Sequence, residues 1–259
     1  MNLGFIGVGN IGKAIITGLC TCPTPPGKIL IYDVDEAKCL SIAKHHKQVE
    51  IALDNQDLLD RVDCVFLCVI PQIAPQVLLP LNFREDLLVI SVIAIRPTKE
   101  IGEYVAPAKI LIRAVPLPSI AYQVGPLIYY PDNDTVAELF ARTARAIPVE
   151  SESDLIILSA ITGLIAPYYS LVNALSGWAA SAGIDKDIAI QYTLGMFDVL
   201  NYQAMKHEAT LDELSAEAAT FGGLNDQALR ELKRHKAFDP FVNALDLLLQ
   251  RLGLEANQR

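Results

Sequence analysis

Short unbroken apolar runs alternate with amphipathic stretches along the first half of the chain. Leu3–Ile6 is such a run and ends in glycines; the stretch from Ile11 to Leu19 reads as a helix, closed by "CPTPPG". Ile29–Tyr32 reads as a second strand ending on Asp33, and "DEAKCLSIAKHH" as the helix after it. Cys64–Val69, "CVFLCV", is a third strand, with Pro71 placed to stop it and open the next helix. Leu87–Val92 and Lys109–Ile112 are further strands with a helix at Thr98–Tyr104 between them, and "GPLIYY" at Gly125–Tyr130 adds one more. Continuous apolar strands separated by helices predict a parallel sheet covered on both faces.

The pattern changes after Val149, where the remainder reads as helical. Ala189, Tyr192, Met196 and Val199 fall at helical spacing, as do Phe241, Leu245, Leu248, Leu249 and Leu252. The polar "IPVESESD", Ile147–Asp154, is linker-like. The expected fold class is α/β: a Rossmann-like parallel-sheet domain over 1–150, followed by an all-α domain over 151–259. From Leu155 to Ile184 there is no charged residue, a length sufficient to span a bilayer. The run carries Ser, Thr, Asn, Pro and Gly and is flanked by Asp154 and Asp185, not by Lys or Arg. A helix buried in a subunit interface is expected there in place of a membrane span.

Composition narrows the function classes. The chain has 259 residues, 52% hydrophobic and 20% charged, enough to bury a sizeable core. A formal net charge of −9 excludes a phosphate-backbone partner as the expectation, so no nucleic acid is anticipated. The five cysteines, Cys20, Cys22, Cys39, Cys64 and Cys68, lack zinc-site spacing, and neither a metal nor a disulfide framework is expected. Reduced cysteines and an opening that goes straight into structure fit a cytoplasmic protein.

Gly7-Val8-Gly9-Asn10-Ile11-Gly12 is a GxGxxG string between the first strand and the first helix. Asp33 follows Gly12 by 21 residues, at the end of the second strand. This is the context that a dinucleotide-binding fingerprint requires. Gly7 allows the tight turn, Gly9 lets a pyrophosphate approach the backbone, and Gly12 lets helix and strand pack closely. The helix start offers unpaired N–H groups to phosphate. A carboxylate at position 33 accepts from a ribose 2′-OH and repels a 2′-phosphate, and Val34, Asp35 and Glu36 bring no Arg to neutralise one. The cofactor is therefore NAD or NADP, with NAD favoured.

An alcohol dehydrogenase needs a base for the hydroxyl proton. His45, His46, His207 and His235 all lie on polar or charged stretches, and no Lys occurs between Lys109 and Lys186. Reducing a C=N bond demands less, because a protonated imine already carries its proton; positioning and electrostatics suffice. Gly222 and Gly223, just before an amphipathic helix, offer with Leu224 and Asn225 a set of backbone N–H groups to a substrate carboxylate, or else an ordinary turn.

Taken in order, these segments resemble pyrroline-5-carboxylate reductase over nearly the whole chain. "MNLGFIGVGNIGKAIITGL" is similar to that family's opening, "VDCVFLCVIPQIAPQVL" to its "VKPQ" segment and "LVISVIAI" to its "SIAAGI" strand. "LSAITGLIAPYYSLVNALSGWAASAGIDKDIAIQYTLG" resembles its long interface helix, and "ATFGGLNDQAL" its "TSPGGTTIAGL" loop. The resemblance implies a homodimer or higher homo-oligomer built on interlocking helices, and a small carboxylate-bearing imine as substrate. It implies cofactor contacts at Asn55, Val69, Pro71 and Ala94. It also implies substrate contacts at Thr162, Gly222, Gly223, Leu224 and Asn225, with Asn225 at the imine. Departures sit at the site itself: the family's "VKP" lysine is Ile70, its "MPN" asparagine is Leu117, and its threonine pair is Leu224 and Asn225. "SGSGPAY" becomes "TGLIAPYY", one residue longer. Two alternatives stand beside the reductase: an enzyme for a different imine or carbonyl substrate, and a non-catalytic dinucleotide-binding protein. Hydroxyacid dehydrogenases of this two-domain plan fit less well, for want of a lysine on the long helix.

Overall fold

A computed structural model describes residues 1–254. The chain divides after Ser159 into two compact units.

The first unit is built on an eight-stranded sheet of order β3-β2-β1-β4-β5-β6-β7-β8. Its strands are β1 (Leu3–Ile6), β2 (Ile29–Tyr32), β3 (Val49–Ile51), β4 (Cys64–Leu67), β5 (Leu88–Ser91), β6 (Ile110–Val115), β7 (Pro126–Tyr130) and β8 (Arg145–Pro148). The run from β3 to β6 is parallel, in the doubly wound order whose direction of winding reverses between β1 and β4. The expectation of a purely parallel sheet is corrected at one place: β7 runs antiparallel to β6, while β7 and β8 are parallel. A 3₁₀ turn at Pro118–Tyr122 and the left-handed Gln123 reverse the chain between β6 and β7 without a crossover helix.

Period-two alternation divides the strands between two cores. One face carries Leu3, Phe5, Ile29, Ile31, Cys64, Phe66, Leu88 and Ile90. It is covered by α1 (Asn10–Thr21), α2 (Glu36–Ala43) and α6 (Asp134–Phe140). Phe5 and Phe66 stack across β1 and β4 with ring centroids 4.4 Å apart. The other face carries Ile6, Leu30, Val65, Leu67 and Val89 under α3 (Asn55–Asp60), α4 (Ala74–Leu78) and α5 (Thr98–Tyr104). Both faces of each central strand are thus apolar, which is why those strands read as continuous runs. Burial pushes the Cys64 thiol well above its ordinary range, so it stays protonated, and all five cysteines are free.

Pro71 does not open a helix. The chain turns first, with Ile73 N–H donating to Ile70 O at 3.2 Å, and the proline that occupies the first turn of α4 is Pro75. The short elements β3, α3, α6 and β8 carry no periodic signature long enough to predict from sequence.

The last part of the chain is helical: α7 (Glu152–Ile161), α8 (Ile165–Ser181), α9 (Lys186–Lys206), α10 (Leu211–Ala218), α11 (Leu224–Arg234) and α12 (Asp239–Arg251). A 3₁₀ turn at Thr162–Leu164 separates α7 from α8. The helix restarts there, so Pro167 falls in the first turn of α8, where its missing N–H costs nothing. Gly163 lets α12 approach this turn; a Cβ there would meet Leu248 Cδ1 at 2.4 Å. The run Glu152–Ser181 is long and apolar enough to cross a membrane by length and composition. The periodicity seen in α9 is real, yet only Ala189 of its four marker residues is buried; Tyr192, Met196 and Val199 are exposed.

Candidate functional site

The carboxyl ends of β3, β2, β1, β4 and β5 form one continuous arc, because these strands are neighbours in that order. The crevice above such an arc is where doubly wound sheets hold ligands. The glycine loop lies at its centre. Gly7 has φ +91, and a Cβ there would stand 2.9 Å from Cys68 O, so both backbone shape and space demand glycine. A Cβ on Gly12 would meet Gly7 O at 2.7 Å. These two glycines are needed by the protein itself. Gly9 is different: its φ is −66° and a Cβ would meet nothing within 4 Å. The space is open, a cradle that a side chain would fill and that an incoming pyrophosphate could use.

Gly9 is also the N-cap of α1 and offers no side-chain cap, so the first N–H groups of the helix, at Asn10, Ile11 and Gly12, point out unmatched by a capping oxygen. That leaves them to an anion. Asp33, at the end of β2, is bonded within the loop itself. Its Oδ2 accepts from Val8 N–H at 2.8 Å and its Oδ1 from Asp35 N–H at 2.9 Å. It therefore ties the glycine loop to β2 and still keeps lone pairs on each oxygen for a further donor. Lys38, which sequence reasoning missed, lies 3.8 Å from Asp33 and 3.5 Å from Asp35. The signal was present: Asp35 is the N-cap of α2, and Lys38 is three residues on, one turn away.

Asn55 opens α3 beyond β3, and its Oδ1 is buried without a hydrogen-bond partner among the described residues. An orphaned buried acceptor is costly, and a ligand donor at the adenosine end of the arc would satisfy it. Val69 and Pro71 follow β4, and the exposed Ala94 follows β5. Arg96 joins these two loops by donating to Pro71 O at 3.0 Å. The residues present thus fit a dinucleotide, which the N–H groups of 10–12, Asp33 and Asn55 could hold.

A second polar cluster stands at the ends of β5 and β6. Glu152 Oε1 accepts from Thr98 N–H at 2.7 Å, from the Thr98 hydroxyl at 2.7 Å and from Arg113 at 2.8 Å. It supplies the cap that Pro97 cannot give α5 and neutralises the buried Arg113. Burial pushes the Glu152 carboxyl up, but these three donors outweigh it and hold it below the ordinary value.

Thr162 and the Gly222–Asn225 segment belong to the second unit. Thr162 begins the 3₁₀ turn between α7 and α8. Gly222 has φ +75, and its N–H donates to Asp226 Oδ2 at 2.9 Å; Gly223 N–H donates to Thr220 O at 2.8 Å. Two of the four N–H groups expected to face a substrate are therefore engaged by the loop's own atoms. Gly223 is the N-cap of α11 with no side-chain cap, which leaves the Leu224 and Asn225 N–H groups at the helix start. The Asn225 amide donates to Ala218 O at 3.1 Å, and Asp226 is paired with Arg230 at 3.0 Å. Phe221 and Leu224 are 98% and 85% exposed.

A family model described as NADP oxidoreductase, coenzyme F420-dependent, matches residues 2–95. Over 96% of its length the chain is 26% identical to the pyrroline-5-carboxylate reductase of Vibrio alginolyticus, covering 95% of that protein. The structure of 1-pyrroline-5-carboxylate reductase from Streptococcus pyogenes superposes with a TM-score of 0.85 at 23% identity, covering 97% of this chain and 98% of that one. The Plasmodium falciparum pyrroline carboxylate reductase, solved with NADP bound, gives 0.84 at 19% identity and 97% coverage of both. At those identities the structural likeness establishes the fold.

The glycines separate two roles by experiment. Gly12→Ala should destabilise the fold by about 2 kcal/mol, read from the denaturant midpoint. Gly9→Ala should leave that midpoint in place and weaken dinucleotide binding at least tenfold by titration; a Gly9→Ala protein that binds normally would remove the loop from the site. Glu152→Gln should cost about 2 kcal/mol near neutral pH, because Arg113 is left without its charged acceptor. Since the folded-state carboxyl lies below its ordinary value, that stabilisation is complete above roughly pH 4.3 and is lost as pH falls through the lower folded value. Denaturation curves of wild type and variant should converge in that acid range.

Proposed function

We propose that this chain, a divergent member of the pyrroline-5-carboxylate reductase family, reduces the C=N bond of a small carboxylate-bearing imine, with pyrroline-5-carboxylate as default substrate and proline synthesis as its setting. What carries the proposal is that the likeness to the Vibrio alginolyticus reductase runs through both halves of the chain. A nucleotide half alone would be shared with any nicotinamide enzyme.

Reduced nicotinamide supplies the hydride when bound. Residues 1–150 bind and orient it: Gly7, Gly9, Asn10, Ile11 and Gly12 at the phosphates, Asp33 and Asn55 at the adenosine end, and Val69, Pro71 and Ala94 along the strand ends. Residues 151–259 take the substrate and pair with a second copy of the chain. There Thr162, Gly222, Gly223 and Leu224 line the carboxylate, and Asn225 holds the imine by hydrogen bond. The imine nitrogen arrives protonated, so no side chain has to donate a proton in the reduction. Asp33 favours NAD, and Lys38 is the cation placed to soften that choice toward NADP. The exposed apolar run of α8 is assigned to the contact between copies, in a cytoplasmic homodimer.

The test mixes pure protein with NADH or NADPH and pyrroline-5-carboxylate and follows loss of reduced-nicotinamide absorbance. Turnover is expected with both cofactors; measurable cofactor binding without turnover would instead favour a dinucleotide-binding protein. Asn225→Ala should lower kcat tenfold or more and leave cofactor affinity unchanged. Specificity should favour NADH, and Lys38→Ala should lower kcat/KM for NADPH several-fold more than for NADH; a wild-type enzyme far better with NADPH would defeat the role given to Asp33.

A further inference from the structure

Three adjacent strands release apolar side chains at the same edge of the sheet. Leu67 pairs with Ser91 and Ser91 with Arg113, so β4, β5 and β6 are aligned at one row. Ile70, Ile95 and Leu117 lie three, four and four residues beyond it. Ile70 is 59% exposed, Ile95 46%, and Leu117 is half-buried.

The polar side chains leaving the ends of β5 and β6 are spent elsewhere. The Ser91 hydroxyl accepts from Ile93 N–H at 3.3 Å. Arg96 reaches Pro71 O and pairs with Glu100. Thr98 and Arg113 meet on Glu152. Apart from the exposed Gln72 in the loop after β4, the side chains this stretch of the edge leaves for a ligand are hydrocarbon.

Ile95 supplies an independent observation. Its φ is +68, the left-handed region, where a β-branched residue is strained and glycine is not. Glycine would make the same turn more cheaply, and the exposed side chain buries little in return. Strain of this kind persists where the side chain has a task.

We propose that Ile70, Ile95 and Leu117 form a specificity surface that takes an apolar substituent on the substrate. The preferred substrate is then a carboxylate-bearing cyclic imine with an alkyl or aryl group on the ring, in place of the unsubstituted ring. This rests on the imine-reductase assignment above. The surface discriminates by desolvating the substituent against three hydrocarbon side chains, an effect of about 10- to 200-fold per methylene-sized group.

The experiment measures kcat/KM of the full chain, at saturating reduced nicotinamide, for pyrroline-5-carboxylate and for ring-methylated and ring-phenylated analogues. At least one analogue should be preferred by about tenfold or more. Ile70→Ala and Ile95→Gly should each bring the ratio back toward one, while Ile95→Gly raises the thermal midpoint by relieving the left-handed isoleucine. A wild-type preference for the unsubstituted ring, or a ratio that neither variant changes, overturns the specificity surface and leaves the reductase assignment standing. Failure to reduce any of the three imines, with cofactor still bound, overturns both.

Discussion

The close approach of the first helix to the end of β4 is the constraint on which the carboxyl edge depends. Gly7 lets the loop settle against the backbone of Cys68, and Gly12 lets the helix settle against Gly7 O and the Cys68 side chain; at either position a Cβ would collide with a main-chain oxygen. That contact fixes the direction in which α1 leaves the sheet, and with it the aim of its unmatched N–H groups. Asp33 completes the arrangement by holding Val8 N–H from the neighbouring strand. This carboxylate serves the fold whether or not a ligand is bound, and replacing it would disturb the loop before any change in cofactor choice could be read.

The edge divides its labour by strand. Toward β2 and β3 it is polar and carries an orphaned acceptor, Asn55 Oδ1. Toward β5 and β6 the polar groups bind each other through Glu152, Arg113 and Thr98, and the outward groups are aliphatic. A ligand lying along this arc passes from hydrogen bonding to desolvation as it crosses from one half of the winding to the other. The sheet order places that change at the ends of β4 and β5, beside Pro71 and Ala94.

Much of this was legible in the sequence where residues obey a two-sided constraint. β1, β2 and β4 are buried on both faces; the apolar runs match the bounds of β1 and β2, while the run at β4 continues to Val69, two residues past the strand's end at Leu67. The glycine spacing and Asp33 were legible because each has a single inexpensive solution. β3 and β8 were not: β3 has three residues, and β8 is exposed or half-buried throughout and so carries no unbroken apolar run. The antiparallel β7 escaped because its direction is set by the turn at Pro118–Tyr122, not by its own composition. Pro71 misled because two prolines compete for one helix start and the turn at Ile70 favours Pro75. Lys38 left a local trace in its spacing from Asp35, whereas the Glu152 cluster left none, because proximity between residues such as 98, 113 and 152 is three-dimensional. In the helical half, periodicity marked the helices but not which face is covered, since Tyr192 and Met196 keep the spacing of a core while standing outside one.

Asp226 gives the glycine pair of the second unit a property beyond shape. Its carboxylate already rests on the Gly222 N–H, four residues away along the same turn and balanced by Arg230. Any external anion that takes this N–H meets a tethered competitor, whose effective concentration is set by the chain and not by the solution. Dilute inorganic anions contend with it on poor terms. An organic acid that gains further contacts elsewhere has an independent source of free energy with which to dislodge it. A ligand docking at this loop in the way proposed would have to offer contacts beyond its charge to displace Asp226.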